Sequence, residues 1–185
     1  MIRAAYVMNL DSLAFRFARP HDIPRIVSLV NSAYRGESGK QGWTTEADLL
    51  DGQRTDEEDI TQLLQTPDSM ILLAEIGWEL VASVHLERHE EGAYLGMLAV
   101  RPSLQGRGVG KRLMATAEDI AEKQWMAGKM LMTVINLRYE LIAFYQRCGY
   151  LKTGRAKPFP ASEKFGMPKG PALFLEYLEK PLGSR

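Results

Sequence analysis

Between Val100 and Leu113 the chain reads VRPSLQGRGVGKRL, with glycines at 106, 108 and 110 among Arg101, Arg107, Lys111 and Arg112. A glycine turn that opens a helix exposes unpaired backbone N–H groups at the positive end of the helix dipole. Glycine also lets the backbone close on a ligand, so the chemistry this composition serves is the binding of a phosphate-like anion. Two common phosphate turns fail here. A Walker-type loop, G-x-x-x-x-G-K-[ST], would need glycine at Gln105 and a hydroxyl residue at Arg112. A dinucleotide turn, G-x-G-x-x-G, would need its third glycine at Lys111. Other reactive side chains are less organised. His85 and Glu87 share a face if their run is a regular strand, and His85 with His89 lacks a third ligand at recognisable spacing, so no metal is expected. Cys148 has no adjacent histidine to activate it and reads as a small buried residue.

The turn must be held by the elements around it. Alternation in SMILLAEIG, WELVASVHLER and AYLGMLAV predicts an antiparallel meander that ends at the turn. Val109, Leu113, Met114, Ala117, Ile120 and Ala121 mark the buried side of the following helix, which the pattern carries to about Met126 and stops at Gly128. KMLMTVIN reads as a buried strand, LRYELIAFYQRCGY as a helix ending at Gly149, and YLKTGR and PALFLEYLEKP as two more strands. Upstream, Leu13–Ala18 is a strand, and HDIPRIVSLVNSAYR is a helix with Asp22 as its cap. The polar stretch to Gln65 has helix starts at Thr44 or Thr45 and at Thr55. The order is βα(α)βββαβαββ, an α/β (α+β) fold with a mixed, mostly antiparallel sheet flanked by helices. We expect one domain over 1–185, with 1–12 as an N-terminal extension.

The bulk numbers narrow the partners. The chain has 185 residues, 23 basic and 23 acidic, so no global positive field favours nucleic acid. One cysteine rules out an internal disulfide framework and suits a reducing compartment, so a cytoplasmic protein is expected. No stretch approaches the roughly 18 apolar residues of a membrane span, and the start lacks a signal-peptide core.

With Gln105, Gly108 and Gly110 spaced Gln-x-x-Gly-x-Gly between LGMLAVRPSLQ and an amphipathic helix, the chain resembles the GCN5-related N-acetyltransferase (GNAT) superfamily. The resemblance spans Leu13 to Pro181, is strongest from Tyr94 to Tyr150, and is weakest from Arg35 to Gln65. It implies acetyl-CoA as acetyl donor, with its diphosphate on the amides of Gln105, Gly106, Arg107, Gly108, Val109, Gly110 and Lys111. Arg107 and Lys111 would be outer charge partners. Leu98, Ala99 and Val100 would pair with the pantetheine arm as an added strand, the Leu98 amide polarising the thioester carbonyl. Asn136 would bond the cofactor arm, and Tyr145 would be the general acid at the CoA sulfur, making Leu98 and Tyr145 the catalytic pair.

The acceptor would be a primary amine of a small molecule or peptide, attacking directly in a ternary complex. Its base is left open among Glu37, Glu46, Asp48, His85, Glu87 and water. GWTTEADLL and AKPFPASEKFGMPKG sit where the superfamily shapes its acceptor pocket, with Trp43, Phe159 and Phe165 as an apolar wall and Glu46 or Asp48 holding a cationic amine. A non-catalytic acyl-CoA-binding or sensing module is the alternative. The final strand and the exposed meander leave a homodimer open.

Overall fold

The computed structural model describes residues 10–35, 42–164 and 166–183. Leu13–Phe17 forms strand β1, and one 3-10 turn leads into helix α1 (Ile23–Tyr34), whose Ile26, Val30, Ala33 and Tyr34 are buried. Asp22 stands at the start of α1 but does not cap it with its side chain, which instead accepts the Arg19 N–H at 2.9 Å in the preceding turn. Fully buried, it accepts from Arg16 Nη1 and Nη2 at 2.7 Å each and from Arg25 Nη1 at 3.2 Å. Arg16 also reaches Glu75 at 2.8 Å. Its guanidinium holds both carboxyls below their ordinary range, and this ionic cluster fastens α1 to the sheet.

The polar stretch after α1 yields one helix among the described residues. Thr44 lies in a turn and Thr45 just beyond it, and Thr45 Oγ1 accepts the Ala47 N–H at 3.2 Å instead of starting a helix. Leu50–Asp51 is a short strand, β2, and α2 (Glu57–Gln65) is capped by Asp56, one residue later than Thr55, through the Asp59 N–H at 2.8 Å. The meander follows as β3 (Ser69–Ile76), β4 (Glu79–His89) and β5 (Gly92–Val100). Then come α3 (Val109–Trp125), β6 (Lys129–Ile135), α4 (Tyr139–Arg147), β7 (Leu151–Pro158), β8 (Met167–Pro168) and β9 (Phe174–Pro181). Helix α3 ends before Gly128: Met126 itself takes the left-handed conformation, φ +52°, and its N–H returns to Ala121 O.

The main sheet runs β1-β3-β4-β5-β6-β9-β7, and only β5 and β6 are parallel. The predicted order holds, with β2 and β8 added as a separate pair, Leu50 opposite Pro168. Helices α1 and α2 cover one face, where Ile26 and Val30 meet Ile71 and Leu73. On the other face Leu113, Met114 and Ala117 of α3 pack on Val84 and Leu86, with Ile142 and Tyr145 of α4 in the same core. Residues 10–12, placed in the expected extension, form a 3-10 turn whose Leu10 carbonyl accepts from Arg112 Nη1 at 2.7 Å.

The feature that positions a site is the seam between β5 and β6. They pair only at Ala93–Met130 and Tyr94–Leu131, whereas β6 stays paired to β9 along its length. Beyond Tyr94 the seam opens. Between Ser83–Ala99 and His85–Gly96, β5 carries one more residue than β4, and Met97 adopts φ +50° there. Such a bulge bends and twists its strand. A positive φ at a buried methionine is costly, so it persists only because packing under α1 holds it.

Candidate active site

Arg101 N–H bonds to Val81 O at 2.8 Å, toward β4. Backbone groups alternate sides along a strand, so those of Leu98 and Val100 face the open seam. Both carbonyls there are taken by side chains: Tyr34 Oη donates to Leu98 O at 2.6 Å, and Gln105 Nε2 donates to Val100 O at 3.0 Å. That leaves the Leu98 and Val100 amides as the strand's donors toward a cleft of about 380 Å3.

The glycine turn forms the head of this cleft. Gly106 and Gly108 have φ +76° and +84°, which a side chain would strain, and open space lies where a Cβ would stand at either. Gly108 is the N-terminal cap of α3, and among the described residues no side chain caps the helix's first N–H groups. At Gly110 a Cβ would sit 3.3 Å from Val100 Cγ2. Lys111 and Arg147 also line the cleft. Uncapped amides, space above two glycines and two cations fit a diphosphate, the group the resemblance implies.

The individual residues of the turn do different work. Gln105 has its own N–H on Pro102 O at 3.3 Å. Its side chain staples another segment, accepting from Trp43 N–H at 2.9 Å and donating to Thr44 Oγ1 at 2.8 Å. Arg107 is exposed and off the cleft wall, and Arg147, which no motif marks, lines it. Ala99 and Val109 turn their side chains into the two cores. Asn136 lines neither this cleft nor the cavity behind it: its N–H and Oδ1 both bond to Phe174, at 2.8 and 3.0 Å, tying β6 to the start of β9.

Tyr34, Leu98, Leu141 and Tyr145 are shared between the cleft and a second cavity of about 540 Å3. Tyr145, on the last turn of α4, is 6% exposed and packs edge-on against Phe144 and Tyr150. Burial pushes its phenol well above the ordinary range, so it keeps its proton at neutral pH; the Arg138 charge acts in the opposite direction. Burial likewise pushes Tyr34 up to about 12. Tyr150 closes the network behind, donating to Glu118 Oε1 at 2.9 Å, with Lys180 on Oε2 at 2.6 Å.

The second cavity is lined by charge. Glu46 is buried, ion-paired with Arg35, and its Oε1 lies 3.8 Å from Arg138 Nη1. Asp59 and Arg54, both unmarked in the sequence, line it too, as does Phe159. Of the other expected pocket residues, Trp43 lies in the cleft instead, edge-on to Phe144, because Gln105 holds it there. Asp48 is exposed and lines neither space. His85 is buried behind the wall, hydrogen-bonded to Ser69 Oγ at 2.9 Å, and desolvation lowers its pKa. Glu87 faces a separate groove. Glu37 and Phe165 lie outside the described residues. Cys148 is half-buried, and desolvation raises its thiol, which keeps it protonated. Among the described residues no cluster of His, Cys, Asp or Glu is placed to hold a metal, and no helix is long and apolar enough to cross a membrane.

Comparison with known proteins bears on this geometry. Among solved structures, the ribosomal-protein-alanine N-acetyltransferase of Brucella melitensis is similar, with TM-score 0.68, 18% identity, and coverage of 91% of this chain and 99% of that one. An IAA acetyltransferase from Bacillus cereus gives 0.65 at 19% identity, covering 92% and 100%. A spermidine N-acetyltransferase variant from Vibrio cholerae gives 0.66 at 15% identity, covering 92% and 94%. At these identities the likeness is one of fold. No curated protein matches the chain. The model of the acetyltransferase (GNAT) family, however, matches residues 26–150, from the second turn of α1 through the cleft to Tyr150. With more than half its length matched, and with the seam, turn and α4 all inside that span, the chain is an acyltransferase that belongs to the acetyltransferase (GNAT) family.

Proposed function

We propose that the protein transfers an acetyl group from acetyl-CoA to a primary amine by direct attack within a ternary complex. The observation that carries this reading is the meeting of two cavities at Tyr34, Leu98, Leu141 and Tyr145. A cofactor cleft alone would serve a non-catalytic acyl-CoA sensor; a second cavity opening onto the same residues gives an acceptor a place to reach the thioester.

Acetyl-CoA supplies the activated acetyl group. Gly106, Gly108 and Gly110, with the first amides of α3, would hold the diphosphate, and Lys111 and Arg147 would neutralise it. The Leu98 N–H would take charge developing on the carbonyl oxygen, an oxyanion-hole role that needs a fixed backbone. Tyr34 provides that fixity by holding the Leu98 carbonyl. Tyr145, protonated at neutral pH, would return a proton to the departing sulfur. Asp59, which lines the acceptor cavity, is available to take the amine's proton directly or through water. The similar structures named above act, by their names, on spermidine, on IAA and on a ribosomal-protein alanine, which supports an acetyl acceptor without choosing one.

Thiol release from acetyl-CoA over an amine panel tests the reading. Tyr145→Phe should lower kcat by about a hundredfold or more, the scale of acid–base catalysis, while the acetyl-CoA dissociation constant stays within about twofold by calorimetry. Full turnover in Tyr145→Phe would remove Tyr145 from the mechanism. Acetyl-CoA binding with no amine ever acetylated would favour the sensing module.

A further inference from the structure

We propose that the acceptor is a free amino acid, an amine carrying a carboxylate close by, with Arg54 as the residue that binds the carboxylate. This rests on the transferase reading above and names its acceptor.

Arg54 is half-buried in the wall of the acceptor cavity, and its backbone is pinned by Asn31 Oδ1, which accepts the Arg54 N–H at 2.7 Å. Its guanidinium lies 5.6 Å from the Tyr34 ring centroid. Among the described residues it has no hydrogen-bond acceptor and no carboxylate partner. Neither carboxylate of the cavity wall is paired with Arg54. Glu46 lies between Arg35 and Arg138, and Asp59 Oδ2 accepts the Thr55 hydroxyl at 2.6 Å. Lys157 adds a second cation on the exposed side of the same cavity, and it too has no carboxylate partner among the described residues.

A partly desolvated guanidinium is satisfied best by a planar oxyanion, which accepts two parallel charge-assisted hydrogen bonds. A polycationic acceptor would instead bring like charge against Arg54 and Lys157. Geometry limits the spacing between the acceptor's two groups. Arg54 stacks on the ring whose hydroxyl grips the Leu98 carbonyl, so an anion at Arg54 lies one tyrosine side chain from the reacting centre. The amine and the anion then belong on one small molecule, as in an amino acid, and the cavity of about 540 Å3 has the size of a small-ligand site. Asp59, in the same wall, would face the amine.

The test uses the full chain with saturating acetyl-CoA and matched acceptor sets: leucine, leucinamide and isoamylamine; phenylalanine, its amide and phenethylamine; and spermidine. Amino acids should exceed their own amides and decarboxylated amines by about tenfold or more in kcat/KM, the scale of one charge-assisted contact. Arg54→Gln should erase that preference through KM, and Arg54→Lys should restore part of it. Equal or better turnover of the decarboxylated amines or of spermidine overturns the carboxylate assignment while leaving the transferase intact. That comparison needs only the unaltered protein, so a variant that fails to fold does not blunt it. Acetyl-CoA binding with silence across the whole panel overturns both readings. An amino-acid preference that survives Arg54→Gln in folded protein overturns the role of Arg54.

Discussion

The cleft at the head of α3 takes most of its polar wall from one turn, Gln105–Lys111, with Thr44 and Arg147 beside it, whereas the cavity behind it draws Glu46, Arg54, Asp59, Tyr94, Lys157 and Phe159 from widely separated stretches of chain. The first is built from backbone: uncapped amides, two left-handed glycines and a strand released from its partner. The second is built from charged side chains. A phosphate can be held by backbone geometry alone, so a short run of glycines suffices, while an acceptor's identity has to be read by functional groups that only folding assembles. Tyr34 and Tyr145 stand where the two regions meet, and Tyr34 is the one that fixes backbone and borders charge at once.

The sharpest way to test that division is at Tyr34. In Tyr34→Phe the buried Leu98 carbonyl loses its donor, a loss of about 1–3 kcal/mol for an unsatisfied buried group. We expect kcat to fall by roughly 5- to 150-fold, since 1.4 kcal/mol is a factor of ten, with acetyl-CoA affinity nearly unchanged. Weakened acetyl-CoA binding with normal kcat would show that Tyr34 belongs to the cleft instead.

Gly108→Ala addresses the backbone-built side. Forcing a side chain to φ +84° costs about 1–2 kcal/mol. That strain should raise the acetyl-CoA dissociation constant by roughly 5- to 30-fold while leaving the ranking of amine acceptors as it was. A changed ranking, measured over the same acceptor panel, would break the separation of the two regions.

Gln105→Ala should act more gently. It removes three side-chain hydrogen bonds, two that join the Trp43–Thr44 segment to the turn and one to Val100 O, at a net cost of about 1 kcal/mol each at most. A drop in melting temperature of a few degrees and a KM increase of about fivefold for acetyl-CoA are expected, consistent with that energy. An unaffected melting temperature would count against the staple.

The smallest effect concerns the ionic cluster that anchors α1, and with it Tyr34. Asp22 and Glu75 have folded-state pKa values below their ordinary 3.8 and 4.5. Lowered values mean the stabilisation is complete above those ordinary values and is lost as pH falls below them toward the folded ones. His85, held below its ordinary 6.5 by burial, adds loss in the same direction, beginning nearer neutrality. The melting temperature should therefore decline gently below about pH 6.5 and more steeply below about pH 4.5. Asp22→Asn should lower it at neutral pH and flatten the acid limb; an unchanged acid limb would dissociate the cluster from acid sensitivity.

Much of the fold was legible because each element carries its own period. The alternating runs from Ser69 to Val100 and the helical spacing of Leu113, Ala117 and Ala121 report burial locally, whatever surrounds them. The reach of α3 to about Met126 was legible, but the residue that closes it was not, since Met126 itself takes a conformation that sequence preference assigns to glycine. Nor was the small β2–β8 pair, whose two strands have only two residues each and find each other across more than a hundred residues. Asp22 looked like a cap because of its position, but Arg16 and Arg25 outcompete the helix's amides for its oxygens.

By itself the sequence determined the glycine turn, the strand before it and the tyrosine on the helix after the next strand, because all three sit in one stretch where local propensity and glycine geometry decide the backbone. Only the tertiary structure decided that Gln105 staples a distant segment, that Asn136 serves β9, and that Arg54, Asp59 and Tyr34 share a cavity with Tyr145. Charge–charge and side-chain contacts between remote segments depend on distance in space, and sequence separation carries no measure of it.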